Sequence, residues 1–114
     1  METNELQRLI GEWGNSTFMS KKEDTHKIIL HLVEEVLELA NVSKNTIKEI
    51  QKMVKPSIIN NPDPVEAADV MMLLIHVAHV SGFSLEEEVL KKFEECKQRV
   101  WKAPDDNGII KHAE

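Results

Sequence analysis

Between Glu66 and Gly82 the chain reads Glu-Ala-Ala-Asp-Val-Met-Met-Leu-Leu-Ile-His-Val-Ala-His-Val-Ser-Gly, a helical sequence with almost no polar face. Such a helix demands cover on every side, from lipid or from other helices. The apolar run from Ala67 to Val80 falls short of the about 20 residues that cross a bilayer. It is also interrupted by Asp69, His76 and His79, so it reads as a buried core helix with no membrane partner. Four to five short helices from one chain scarcely suffice to enclose it, which implies an all-α helix bundle completed by oligomerisation, as a homodimer or homotetramer.

The same helix carries acid where methyl groups are expected. With Glu66 at zero and about 100° per residue, Val77 lies near about 20°, Val70 about 40°, Leu73 about 340°, Val80 about 320° and Asp69 about 300°. A second stretch, His31-Leu-Val-Glu-Glu-Val-Leu-Glu-Leu-Ala40, repeats the device. With Glu35 at zero, Ile28 lies near about 20°, Leu39 about 40° and Leu32 about 60°, with Glu38 at the stripe edge near about 300°. Glu35 is thus expected inside the stripe, while Glu34, near about 260°, looks solvent-facing. Unpaired buried carboxylates cost several kcal/mol each or take up protons. These helices offer no matching buried cations, so Glu35, Glu38, Glu66 and Asp69 point to a divalent ion, and all-oxygen ligation favours Mg²⁺ or Mn²⁺ over zinc.

The 114 residues make one domain, 41% apolar and 30% charged, within the range of globular chains. A net charge of −6 with no basic stripe argues against a nucleic-acid polymer as partner. The lone Cys96 excludes an intrachain disulfide framework and fits a reducing cytoplasm, and the N-terminus lacks the regions of a signal peptide.

In chain order, residues 1–19 give a short helix from Asn4 to Trp13, which Gly14-Asn-Ser breaks, and a loop. Residues 20–103 form the bundle. Ser20-Lys-Lys-Glu23 has the form of a capping box opening a helix to about Asn41. A weaker helix runs from Ser43 or Lys44 to Val54 with Ile47, Ile50, Met53 and Val54 on one side, and Pro56 stops it. Asp63 caps and Pro64 opens the apolar helix, and Ser84 caps another that runs to about Lys102. Residues 104–114 are a tail with a turn at Asp105–Gly108. No convincing strand pair is evident.

The order Glu35-x-x-Glu38, an interval, Glu66-x-x-Asp69 and a helix bearing Lys and Arg resembles the all-α nucleoside triphosphate pyrophosphohydrolases, the MazG-like superfamily. The segment Lys92–Trp101 followed by Pro104-Asp-Asp-Asn-Gly108 is similar to the tail of many small members, and the resemblance spans roughly Thr25 to His112. Cys96 departs from it, standing where many members have Asn. The resemblance implies Mg²⁺-dependent hydrolysis between the α- and β-phosphates of a nucleoside triphosphate, giving monophosphate and pyrophosphate. Either Glu38 or Glu34 would serve as general base. Lys92 and Arg99 share a border of the last helix and are candidate phosphate-facing cations. Trp13, Phe18 and Trp101 are candidates to stack on a base, although core packing is the commoner role of such rings.

The alternatives are bland ones. Each acidic pair alone can be an ordinary solvated pair, and Glu66 can close a capping box with Asp63. A di-iron bundle would need more Glu-x-x-His pairs than the single Glu23-x-x-His26. A non-catalytic nucleotide- or metal-binding assembly module on the same fold remains as the alternative function. No Walker loop, dinucleotide fingerprint or nucleophile elbow is present.

Overall fold

A computed structural model describes residues 2–112. Among them five α-helices form, α1 (Thr3–Phe18), α2 (Thr25–Leu39), α3 (Lys44–Val54), α4 (Pro64–Ser81) and α5 (Leu85–Lys97), with short 3₁₀ turns at Lys22–Asp24 and Lys55–Ser57. No strand forms among the described residues, and the chain is all-helical as expected.

The helix starts follow side-chain capping. Ser43 Oγ accepts from Thr46 N–H at 3.3 Å, Asp63 Oδ1 from Val65 N–H at 2.9 Å, and Ser84 Oγ from Glu87 N–H at 3.2 Å. Each satisfies an amide that the first turn leaves without a partner. Before α2 the cap sits one residue later than the Ser20–Glu23 pattern suggests. The Lys21 N–H donates to Asp24 Oδ2 at 2.9 Å, and this bond first, then the Lys27 ammonium, holds the Asp24 carboxyl below its usual range.

Two helix lengths depart from expectation. Helix α1 runs through Gly14 to Phe18, because Trp13 and Phe18 pack edge to face with ring centres 5.3 Å apart. That contact offsets the about 1 kcal/mol that a glycine costs inside a helix. Helix α5 stops at Lys97 rather than near Lys102. The chain then doubles back: Trp101 bridges His112 in antiparallel sense, and Lys102 N–H donates to Lys111 O at 2.8 Å. Asp105 organises the turn, its Oδ1 accepting from Asn107 and Ile109 N–H, with Gly108 at φ 77°. Lys55 Nζ ties the end of α3 to this turn through Asp106 O and Asn107 Oδ1.

The core lies where α2 and α3 meet under the C-terminal segment. Leu30, Ile47 and Ile109 are buried there together with the polar Glu34 and Gln51, and Met53, expected on the inner side of α3, is exposed. The expectation of a buried core helix at Ala67–Val80 is overturned. Only Ala78 of α4 is buried, and no extended packing joins α4 to another element among the described residues. By length and composition α4 matches a membrane-crossing helix, though Glu66, Asp69, His76 and His79 interrupt it. The accessible surface is 8871 Å². A folded monomer of this mass exposes about 6,300 Å². The excess is about 2,500 Å² on the same scaling, and most of the large exposed apolar residues lie on α2 and α4.

Candidate functional site

Helix α2 is apolar over more than half its circumference, and the chain covers only one end of that arc. With Glu35 at zero, Val33, Leu37 and Leu30 lie at about 160°, 200° and 220°. This end faces inward, with Leu30 fully buried, while Ile28, Leu32, Val36 and Leu39 at the other end are exposed. The expected phase of the acids is therefore reversed. Glu34, read as solvent-facing, is 7% exposed, and Glu35, read as buried in the stripe, has a side chain 60% exposed. The sequence pattern located the apolar arc, but which end of it the chain covers depends on where Ile109 and Lys111 fall after the turn.

The buried Glu34 carboxylate is half satisfied. Lys111 Nζ donates to its Oε1 at 2.7 Å, bringing a cation from a residue 77 positions away. That hydrogen bond raises the Lys111 pKa above its ordinary value. The other oxygen, Oε2, is buried with no hydrogen-bond partner. His31 Nε2 stands 3.9 Å from it, beyond hydrogen-bonding range, and 3.3 Å from Glu35 Oε1. His31, Glu34 and Glu35 offer ligand atoms all within 4.8 Å of one another, the one such trio among the described residues. One imidazole and two carboxylates, with one buried carboxylate oxygen unpaired, form a donor set that suits a divalent cation.

The remaining acids stand apart from this trio. Glu38 is exposed further along α2, and Glu66 and Asp69 are exposed on α4, outside the His31–Glu34–Glu35 cluster. Within one chain the two acidic pairs are thus not assembled into a single ligand set. Each lies on an apolar stripe that nothing covers: Ile28, Leu32 and Leu39 beside Glu35, and Val70, Leu73, Val77 and Val80 beside Glu66.

The cationic and aromatic candidates do converge. Glu95 Oε2 lies 3.8 Å from Lys92 Nζ and 3.5 Å from Arg99 Nη2, so one carboxylate links the two cations, and Arg99 Nη1 lies 3.3 Å from His112 Nδ1. Trp13, Phe18 and Trp101 form one edge-to-face cluster, with Trp13–Trp101 centres 5.8 Å and Phe18–Trp101 centres 5.0 Å apart. Phe93 joins at 5.7 Å from Trp13, with Lys97 Nζ 4.8 Å from the Phe93 ring centre. These rings pack on one another as a small satellite core that pins the C-terminal segment. Cys96 is a free, partly buried thiol. A cleft of about 370 Å³ opens beside Trp13 and Phe93, and another of about 310 Å³ lies between Lys27, Lys55 and the Asp105–Gly108 turn; neither is lined by the acids of α2 or α4.

Sequence reasoning missed Lys111. Its only signal was the turn at Asp105–Gly108, which says that the chain reverses but not which residue it returns to Glu34. Comparison of the chain with protein families, curated proteins and solved structures finds no match.

Proposed function

We propose that this chain is a divalent-metal-dependent nucleoside triphosphate pyrophosphohydrolase of the MazG-like kind. The observation that carries the reading is that two acidic pairs, Glu35 with Glu38 on α2 and Glu66 with Asp69 on α4, each stand beside exposed apolar residues that would otherwise favour methyl groups. On this reading Mg²⁺, with Mn²⁺ a second choice, would be held by Glu35 and Glu38 together with Glu66 and Asp69, two pairs that the single chain does not bring into one cluster. When bound, such an ion offsets phosphate charge and makes a coordinated water more acidic.

The chain's own groups supply the rest. Glu34, buried and committed to Lys111 at 2.7 Å, is poorly placed to accept a proton from bulk-side water, whereas Glu38 is exposed. Glu38 therefore serves as general base. The water oxygen bonds to a phosphorus of the α–β bridge, the bond from that phosphorus to the bridging oxygen breaks, and the water proton passes to Glu38, giving monophosphate and pyrophosphate. Lys92 and Arg99, linked through Glu95, are the cations proposed to take the polyphosphate. The substrate is a free nucleotide in a reducing cytoplasm, neither a nucleic-acid polymer nor a lipid.

The Glu34–Lys111 pair also suits the alternative, a non-catalytic nucleotide- or metal-binding module, since an acid neutralised within the chain needs no ligand. The two separate in a panel of ribo-, deoxyribo- and modified triphosphates assayed with Mg²⁺ or Mn²⁺. Pyrophosphate release that disappears in Glu35→Gln/Glu38→Gln supports the enzyme. Metal binding without hydrolysis of any panel member supports the module.

A further inference from the structure

Glu34 is the one buried acid among the described residues, and the cation that serves it comes from the far end of the chain. Its side chain is 9% exposed, and its Oε1 accepts from Lys111 Nζ at 2.7 Å. Oε2 has no hydrogen-bond partner. It faces His31, whose Nε2 stands 3.9 Å from it and 3.3 Å from Glu35 Oε1. A buried carboxylate oxygen without a partner costs free energy, and beside an imidazole and a second carboxylate it is aimed where a cation would relieve that cost. The imidazole sets this trio apart from an all-oxygen set. One nitrogen with two carboxylates suits first-row transition ions such as Co²⁺ and Zn²⁺ better than Mg²⁺. Glu35 is common to the trio and the four acids, whereas His31 and Glu34 belong to the trio alone.

We infer that Lys111 and a divalent transition-metal ion compete for Glu34, which makes the C-terminal segment a strap that limits metal binding at His31, Glu34 and Glu35 and is loosened by it. The two cations would share one carboxylate, the ammonium on Oε1 and the metal on Oε2. Like charges a few ångströms apart repel even at the high effective dielectric of a partly exposed site. The metal has the advantage of its double charge and three ligands, and the ammonium that of its tether. Lys102 N–H donates to Lys111 O at 2.8 Å, and the buried Ile109 anchors the same stretch. The Lys111 side chain is half exposed, so it can turn out to water without unseating Ile109. The coupling is reciprocal: whatever affinity the ammonium takes from the metal, the metal takes from the hold of this segment on α2. The inference goes beyond the hydrolytic reading and does not need it, because neither His31 nor Lys111 is one of the four acids.

The test uses the full-length chain and Co²⁺ alone as the probe, read by its visible absorption and by calorimetry. Wild type is expected to bind Co²⁺, and His31→Gln to lose the absorption bands of that site. Lys111→Met is expected to bind Co²⁺ about tenfold tighter than wild type, and Lys111→Arg, which keeps the charge, about as tightly as wild type. Thermal melts should show Co²⁺ stabilising Lys111→Met more than it stabilises wild type. A further measurement needs no variant: in wild type, Co²⁺ should speed hydrogen exchange across residues 101–112, followed by mass spectrometry. No Co²⁺ binding in either wild type or Lys111→Met overturns the inference. Binding untouched by His31→Gln also overturns it, because the ion would then sit among the four acids instead. Equal affinity in wild type and Lys111→Met, or exchange across 101–112 that Co²⁺ leaves unchanged or slows, means that both cations are seated on Glu34 together, and overturns the competition. Co²⁺ binding that responds to His31 and Lys111 as expected, with no nucleotide hydrolysed, leaves the inference standing and removes the enzymatic reading alone.

Discussion

At the scale of single residues the contact between Glu34 and Lys111 governs how the second helix sits. The carboxylate is buried, one of its oxygens has no partner, and the other depends on an ammonium that is itself half exposed. Replacing Lys111 by Met leaves the carboxylate without either partner, so denaturant unfolding should show a loss of about 1–3 kcal/mol. Glu34→Gln should cost less, since an amide buries no charge. The pH dependence has a definite sign. Folding raises the Lys111 pKa above its ordinary value of 10.5, so the protonated form favours the native state. The advantage of wild type over Lys111→Met should be constant through neutral pH, present in full below 10.5, and shrink as pH rises through the raised value. An advantage that grew in alkali would contradict the contact. The presence of acid beside an apolar arc was legible in the sequence; the identity of the buried acid was not. Glu34 and Glu35 flank the same arc, and which of them turns inward depends on the distant segment that brings Ile109 onto the core and Lys111, 77 residues away, to Glu34.

At the scale of elements, helix starts were more legible than helix ends. Ser43, Asp63 and Ser84 cap through their own side chains, a local interaction that needs no knowledge of the fold. The ends of α1 and α5 are set where Trp13 and Phe18 meet Phe93 and Trp101, two pairs distant from each other in sequence. Two glycines give opposite expectations from the same substitution. Gly14 lies inside α1, and a Cβ there meets nothing within 4 Å, so Gly14→Ala should stabilise by about 0.5–1 kcal/mol. Gly108 has φ 77°, and a Cβ there would lie 2.7 Å from Lys27 Cδ. Gly108→Ala should destabilise by about 1–2 kcal/mol and loosen the segment that delivers Lys111. Thermal melts of the two variants, moving in opposite directions from wild type, check both.

At the scale of the whole molecule, the all-helical class followed from period and composition, while the position of α4 did not. A helix apolar on every side announces that it must be covered, but the sequence alone does not distinguish cover by its own chain from cover by a second one. The single chain buries only Ala78 of α4 and exposes 8871 Å². The central claim concerns the reaction, and its products test it most directly. Phosphorus NMR of a nucleoside triphosphate incubated with the protein and Mg²⁺ should show monophosphate and pyrophosphate appearing in equal amounts. Diphosphate with orthophosphate, or an unchanged triphosphate across the nucleotide panel, would contradict it.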